Sequence, residues 1–348
     1  MFNKSIINKI VDLIPGIFIA LLIATIAKFI ENLLPIHLIG ASVIALFIGM
    51  FINSIIQPKE IIKPGLKFTS KKILKFAIIL LGLSLSINTV LTVGKLSLVV
   101  MFFTLLTCFG GGYVVGRLLK LNWKLSNLIS AGTGICGGSA IAAIAPVIEA
   151  ENKDIAYAMS ATFLFDILMI LLFPIMGEWM GLSDMAYGLW TGTAVNDTSS
   201  VVAAGYAFSE SAGDFATMVK LTRTISIIPV VAMFAFINSK IKKKELYSKE
   251  SVININPKAN ITSVFPWFIL AFIGLAIINS FGIIPDTISI MAKEISKFLM
   301  ISALAAIGLN TNFNEMKKSG VAPMIHGFTI SALVVIVSIT VQYFMGLV

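Results

Sequence analysis

The sequence predicts an all-α polytopic membrane protein, a single transmembrane domain spanning residues 1–348. Three observations predict it. Of 348 residues, 57% are hydrophobic and 12% charged, whereas a soluble domain carries about 25% charge. Mean hydropathy is +0.97. The charges also gather into short connectors, leaving apolar runs of roughly 18–25 residues, enough to cross about 30 Å of hydrocarbon at about 1.5 Å per helical residue.

About eleven transmembrane helices follow from those runs: 10–30, 36–56, 73–93, 96–117, 127–149, 155–176, 185–207, 215–238, 264–281, 288–309 and 322–346. The first continues without a small-residue cleavage site and reads as a span, not a signal peptide. Between the second and third lies 57–72, with Lys59, Lys63, Lys67, Lys71 and Lys72 interrupted by Pro58 and Pro64. It reads as a basic cytoplasmic connector or a short surface helix. A second basic connector, 239–262, carries Lys240, Lys242, Lys243, Lys244, Lys249 and Lys258.

Lysine placement predicts topology by the positive-inside rule. With 57–72 cytoplasmic, Arg117, Lys120, Lys124, Lys240–Lys258, Lys317 and Lys318 share that side. Glu149, Glu151, Asp154, Glu210 and Asp214 fall opposite, the N-terminus inside and the C-terminus outside. One loop dissents: 177–184 carries Glu178 and Asp184 yet is counted as cytoplasmic. The net charge of +9 is explained by this distribution, so no nucleic-acid partner is expected. The expected partners are the lipid bilayer and a small anionic solute, with a homo-oligomer left open.

Cys108 and Cys136 lie within apolar runs and imply no disulfide framework. His37 and His326 lack metal-ligand spacing, and no Walker loop, zinc motif or nucleophile elbow appears. Neither an enzyme nor a metal cofactor is expected.

Two internal similarities stand out. Gly82-Leu83 through Gly94 resembles Gly308-Leu309 through Gly320, each after a Lys-Phe pair (Lys75-Phe76, Lys297-Phe298). Spans three and ten run in opposite directions, the mark of an inverted repeat. The second similarity pairs Gly132–Ser139 with Gly192–Ser199. Those spans differ by two, so counting makes them parallel. Either one segment is re-entrant or the match is coincidental.

The candidate site residues interrupt the apolar runs. Gly132, Thr133, Gly134, Cys136, Gly137, Gly138 and Ser139 include four glycines within 132–138, each weakening a helix by roughly 1 kcal/mol relative to alanine. A helix broken here exposes backbone N–H groups to an anion; close helix packing through small residues is the other reading. Pro146, further on, adds a kink. Between 191 and 200, seven of ten side chains are polar and cannot face lipid. Thr193, Asn196, Asp197, Thr198 and Ser199 are candidates to coordinate substrate or ion, unless the stretch is a loop. Asp166 stands alone in an apolar span. Arg223 is its candidate partner, with Lys220 one turn earlier on the same face. If Arg223 is not so paired, it and Lys220 become candidates to bind an anion. Ser84, Ser86, Asn88 and their counterparts Asn310, Asn312 and Asn314 either line the interior or cap helix ends.

Gly132–Ser139 followed by Pro146, Val201–Gly205 and the Val-Lys-x-x-Arg of 219–223 together resemble the bacterial sulfate exporter family, the YeiH-type multi-pass membrane proteins. The resemblance runs from about residue 15 to the end. One departure is Asn196-Asp197, where His-Glu is expected in several relatives. More distantly, 82–176 is similar to the bile acid–sodium symporters, which implies broken helices that cross and move against a panel. Together these imply a secondary transporter, in the exporting direction, of sulfate or a related oxyanion in the bacterial cell membrane. Lys220 or Arg223 would balance substrate charge, and Asp166 or Asp197 would couple Na⁺ or H⁺. A passive channel or a non-transporting assembly partner is the competing class.

Overall fold

In lipid no water is available to backbone N–H and C=O groups, so each apolar run must satisfy them within itself, as a helix. The computed structural model describes residues 11–33, 41–247, 267–311 and 320–348, and helices account for almost all of them, with no strand among them. Lys249, Lys258, Asn312, Asn314, Lys317, Lys318 and His37 lie outside the described residues.

The helices are α1 (Ile14–Leu33), α2 (Ala41–Ile55), α3 (Lys63–Phe68), α4 (Leu74–Leu81), α5 (Ile87–Leu106), α6 (Gly112–Leu118), α7 (Trp123–Gly134), α8 (Gly138–Ile144), α9 (Asn152–Trp179), α10 (Asp184–Ala194), α11 (Thr198–Phe208), α12 (Glu210–Ile225), α13 (Ile227–Tyr247), α14 (Trp267–Ser280), α15 (Asp286–Asn310) and α16 (Val321–Phe344). Single π-helical turns, Thr69–Ile73 and Thr107–Gly111, join α3 to α4 and α5 to α6 into longer rods. Ile14–Leu33, Ile87–Leu118, Lys153–Trp179, Glu210–Ile241 and Val321–Phe344 are each long and apolar enough to cross a bilayer. The protein is an all-α membrane protein, as its composition predicts.

Two of the expected spans do not cross. The run 127–149 is a hairpin: α7 stops at Gly134, the chain reverses over 135–137, and α8 leads back. Gly137, at φ +61°, occupies a left-handed conformation that only glycine adopts without cost. The feet of the hairpin meet, since Lys124 Nζ donates to Glu149 O at 2.8 Å. The run 185–207 does the same: α10 stops at Ala194, the chain reverses over 195–197, and α11 returns. Here Ser209 Oγ donates to Asp184 Oδ1 at 2.7 Å, and the rings of Tyr187 and Phe208 stack at 3.9 Å. With 12 and 11 residues, α7 and α10 are about 18 and 16 Å long, roughly half a bilayer core.

The 28 residues of α9 extend about 42 Å and separate the feet of the two hairpins. The hairpins therefore enter from opposite faces, and their tips fall at equivalent positions of the Gly132–Ser139 and Gly192–Ser199 similarity. Counting made those segments parallel; re-entry makes them antiparallel. Two placements change with it. Glu149, Glu151 and Asp154 share a face with Lys124, and the loop 177–184 moves to the other face, which removes its disagreement with the lysines. The other similarity holds its opposed sense: Gly82 follows the end of α4, beside Phe272 of α14, while Gly308 near the end of α15 meets α2. Ser84 donates to Leu81 O and Ser86 accepts from Thr89 N, so both serve helix ends.

α15 packs along α2, α1 and α4, and α14 lies against α4. The hairpins gather around α9, α12 and α16, with α5 bridging toward α12. On the face opposite Lys124 the two groups are clasped by ion pairs between α15 and α12. Lys293 Nζ lies 2.7 Å from Asp214 and Lys297 Nζ 2.6 Å from Glu210.

The α2–α15 contact is backbone against backbone. A Cβ on Gly308 would stand 2.1 Å from Leu46 O, and one on Gly49 2.5 Å from Ala305 O. Gly308→Val is expected to lower the unfolding free energy by about 1–3 kcal/mol, the usual cost of overpacking. Gly274→Ala, where a Cβ meets nothing within 4 Å, should leave the midpoint unchanged or raise it. Thermal unfolding of the two purified variants checks the contrast.

Candidate functional site

A helix that stops at half depth leaves its last carbonyls without partners and with a partial negative charge. Two such ends meet at the hairpin tips, and α12 supplies their donors. Lys220 Nζ donates to Ile135 O at 2.9 Å, to Val195 O at 3.0 Å and to Asn196 O. Arg223 Nε donates to Gly134 O at 2.7 Å, Nη1 to Val195 O at 3.1 Å and Nη2 to Thr133 O. The spacing of three puts both cations on one face of α12, where they are 0% and 1% exposed. Each spans both tips.

The opposite polarity is handled by acids. The N-terminus of α11 presents unpaired N–H groups, and Asp166 of α9 reaches them. Asn196 N donates to its Oδ1 at 2.9 Å and Asp197 N to its Oδ2 at 2.8 Å. Asp197 is itself the N-cap of α11, accepting from Ser199 N at 2.9 Å and from Ser199 Oγ. The candidate Asp166–Arg223 pair is not formed. Both residues serve the tips, one at a carbonyl end and one at an amide end.

A cavity of ≈720 Å³ opens in front of this node. Gly137, Gly138 and Ser139 line it from the first tip, and Asp197, Thr198 and Ser199 from the second; Cys136 and Asp166 border it. It extends past Pro146, Phe268 and Ile307 toward the face that carries Lys124. The other face is where the Asp214 and Glu210 ion pairs lie.

The remaining candidates stand behind the tips. Gly132 packs against Ile141 and Thr162. Thr193 Oγ1 donates to Leu189 O at 2.6 Å and lies 2.6 Å from Ser338 Oγ. Asn196 Nδ2 reaches Ser331 Oγ at 3.3 Å. Thr133, Gly134, Lys220 and Arg223 make the contacts already described, and none of these residues lines the cavity. Lys220 and Arg223 were expected to face an anion; their donors go to main-chain carbonyls instead, because the broken ends need them. His326 is buried against Ser126, a packed histidine. Among the described residues no cluster of His, Cys, Asp and Glu could hold a metal ion.

Two charged cavity residues escaped the sequence reading: Lys71 and Lys75, on the π-helical turn and the start of α4. Lys71 was counted into a connector and Lys75 into a span. The signal available was their spacing of four, with Leu74 and Ile78 on the same helical face.

The family described as Conserved hypothetical protein 698 matches residues 15–327, and the chain belongs to it. A UPF0324 membrane protein of Clostridium tetani is 58% identical over 335 residues, covering 95% of this chain and 97% of the relative. One of Streptococcus mutans is 38% identical over 340 residues, with 95% and 97% covered. One of Fusobacterium nucleatum is 37% identical over 352 residues, with 95% and 98% covered.

The node makes a stability prediction. Lys220→Met or Arg223→Met strands buried carbonyls, and each is expected to cost at least about 1–3 kcal/mol. Asp166→Asn keeps one acceptor oxygen and should lose less than Asp166→Leu, which keeps none. Ranking the four variants by thermal unfolding tests this; equal midpoints for Asp166→Asn and Asp166→Leu would contradict the acceptor role.

Proposed function

We propose that this member of the Conserved hypothetical protein 698 family is a secondary transporter, moving a small anion across the bacterial cytoplasmic membrane by alternating access. The observation that carries the reading is the pair of opposed hairpins whose tips meet at half depth beside a one-sided cavity. Discontinuous helices from inverted repeats, placed at the midplane, are the usual frame for a transported solute. The ion pairs between α15 and α12 close the far face and would have to part for the cavity to open there.

The anion preference rests on charge. At the node, the two cations Lys220 and Arg223 offset the two carboxylates Asp166 and Asp197. The cavity then keeps two further cations, Lys71 and Lys75, with the hydroxyls of Ser139 and Thr198. Sulfate or a related oxyanion is the narrower reading that the sequence resemblance supplies. The lysine-rich face is taken as cytoplasmic by the positive-inside rule, with the C-terminus outside; export is the direction that the sequence resemblance supplies. Asp197, at the cavity wall, is the residue assigned to Na⁺ or H⁺ coupling. Lys220 and Arg223 act by holding the tips and do not touch the solute.

Flux into proteoliposomes tests the proposal. Radiolabelled sulfate, sulfite and small sulfonates are offered under imposed pH and Na⁺ gradients. Saturable movement of at least one anion, driven by one gradient and uncoupled by Asp197→Asn, is the expected result. Unsaturable flux would indicate a channel, and no flux of any anion would remove the transport reading.

A further inference from the structure

We infer that the anion this cavity takes is organic, a sulfonate or carboxylate with an apolar body, and that Lys71 and Lys75 recognise its charge. The inference rests on the anion reading above and narrows it.

The local structure places the two lysines. The π-helical turn Thr69–Ile73 accommodates an extra residue in the rod from Lys63 to Leu81, a device common at functional sites. Through it Ser70, Lys71, Leu74, Lys75 and Ile78 all reach the cavity. Among the described residues neither lysine forms an ion pair. The ammonium of Lys75 lies 5.3 Å from the ring centroid of Phe268. The carboxylates that border the cavity are already engaged, Asp166 with two backbone amides and Asp197 with Ser199. Two cations on neighbouring turns of one helix remain to meet a solute.

The walls decide what kind of solute. Besides its charged and hydroxyl groups the cavity is faced by Ile78, Met159, Phe163, Ile227 and Phe268. A tetrahedral inorganic oxyanion needs donors on every side, and these side chains offer none. The volume of ≈720 Å³ falls within the roughly 300–1,000 Å³ range of sites that bury organic ligands. An anion with a hydrocarbon part uses both halves of such a site. Its head meets the lysines, and its body covers the apolar wall.

Thermal stabilisation of the full chain in nanodiscs tests this, since a ligand that binds only the folded state must raise its stability. The probes are sulfate, methanesulfonate, butanesulfonate, benzenesulfonate and the uncharged benzenesulfonamide. From methanesulfonate to butanesulfonate, affinity should rise about three- to four-fold per methylene, with sulfate weaker than either. The double variant Lys71→Gln/Lys75→Gln should lose at least about ten-fold for every sulfonate, while its unliganded unfolding midpoint matches the parent; Lys75→Arg should keep binding. Sulfate binding as tightly as butanesulfonate, with the double variant unimpaired, would overturn the inference and leave anion transport standing. Benzenesulfonamide binding as well as benzenesulfonate would overturn it too, as an apolar site blind to charge. Stabilisation by no anion at all would overturn this inference and the anion reading together.

Discussion

Everything at the centre of this protein depends on one constraint: a helix cannot stop inside a membrane unless something takes up its last carbonyls. Water does so in a soluble protein, and here it is Lys220 and Arg223. A lone cation at that depth would be costly, and so would the bare carbonyl ends. Together they satisfy each other, because each cation donates to carbonyls from both tips. Removing either side of this arrangement leaves the other buried without a partner, the situation in which a buried charge becomes strongly destabilising.

Asp166 extends the same logic to the amide end. By accepting from Asn196 N and Asp197 N it begins α11, just as Lys220 and Arg223 finish α7 and α10. The tips become a compact, internally neutral body tied to α9 and α12. That neutrality has a consequence for the cavity beside it. Its remaining charges belong to a different helix rod, so the surface that meets a solute is shared between the hairpin group and the group built on α4, α14 and α15. Relative movement of those groups would change the cavity, and the ion pairs of Asp214 and Glu210 with α15 hold their present relation on the far face.

Much of this was legible. The glycine-rich and hydroxyl-rich interruptions mark the two tips, and their similarity places the breaks at equivalent positions. Asp166, Lys220 and Arg223 stand out as intramembrane charges, and all three converge on the tips. The sense of the repeat was not legible, because a run that turns back at half depth has the same composition as one that crosses. The acidic loop 177–184 and the parallel count of the Gly132–Ser139 and Gly192–Ser199 segments were the clues against counting every run as a crossing. Lys71 was obscured by neighbouring lysines and prolines that look like a connector, and only the cavity brings it and Lys75 toward the tips.

By itself, the sequence determined that the chain is helical, that it lives in a bilayer, and where its helices break, because hydrophobicity and glycine act locally. Tertiary structure decided the face from which each hairpin enters and what the buried charges touch. The physical reason is that their partners are backbone carbonyls and amides. Every residue carries these, so no side-chain pattern can say which ones a distant lysine, arginine or aspartate will reach until the fold brings them within about 3 Å.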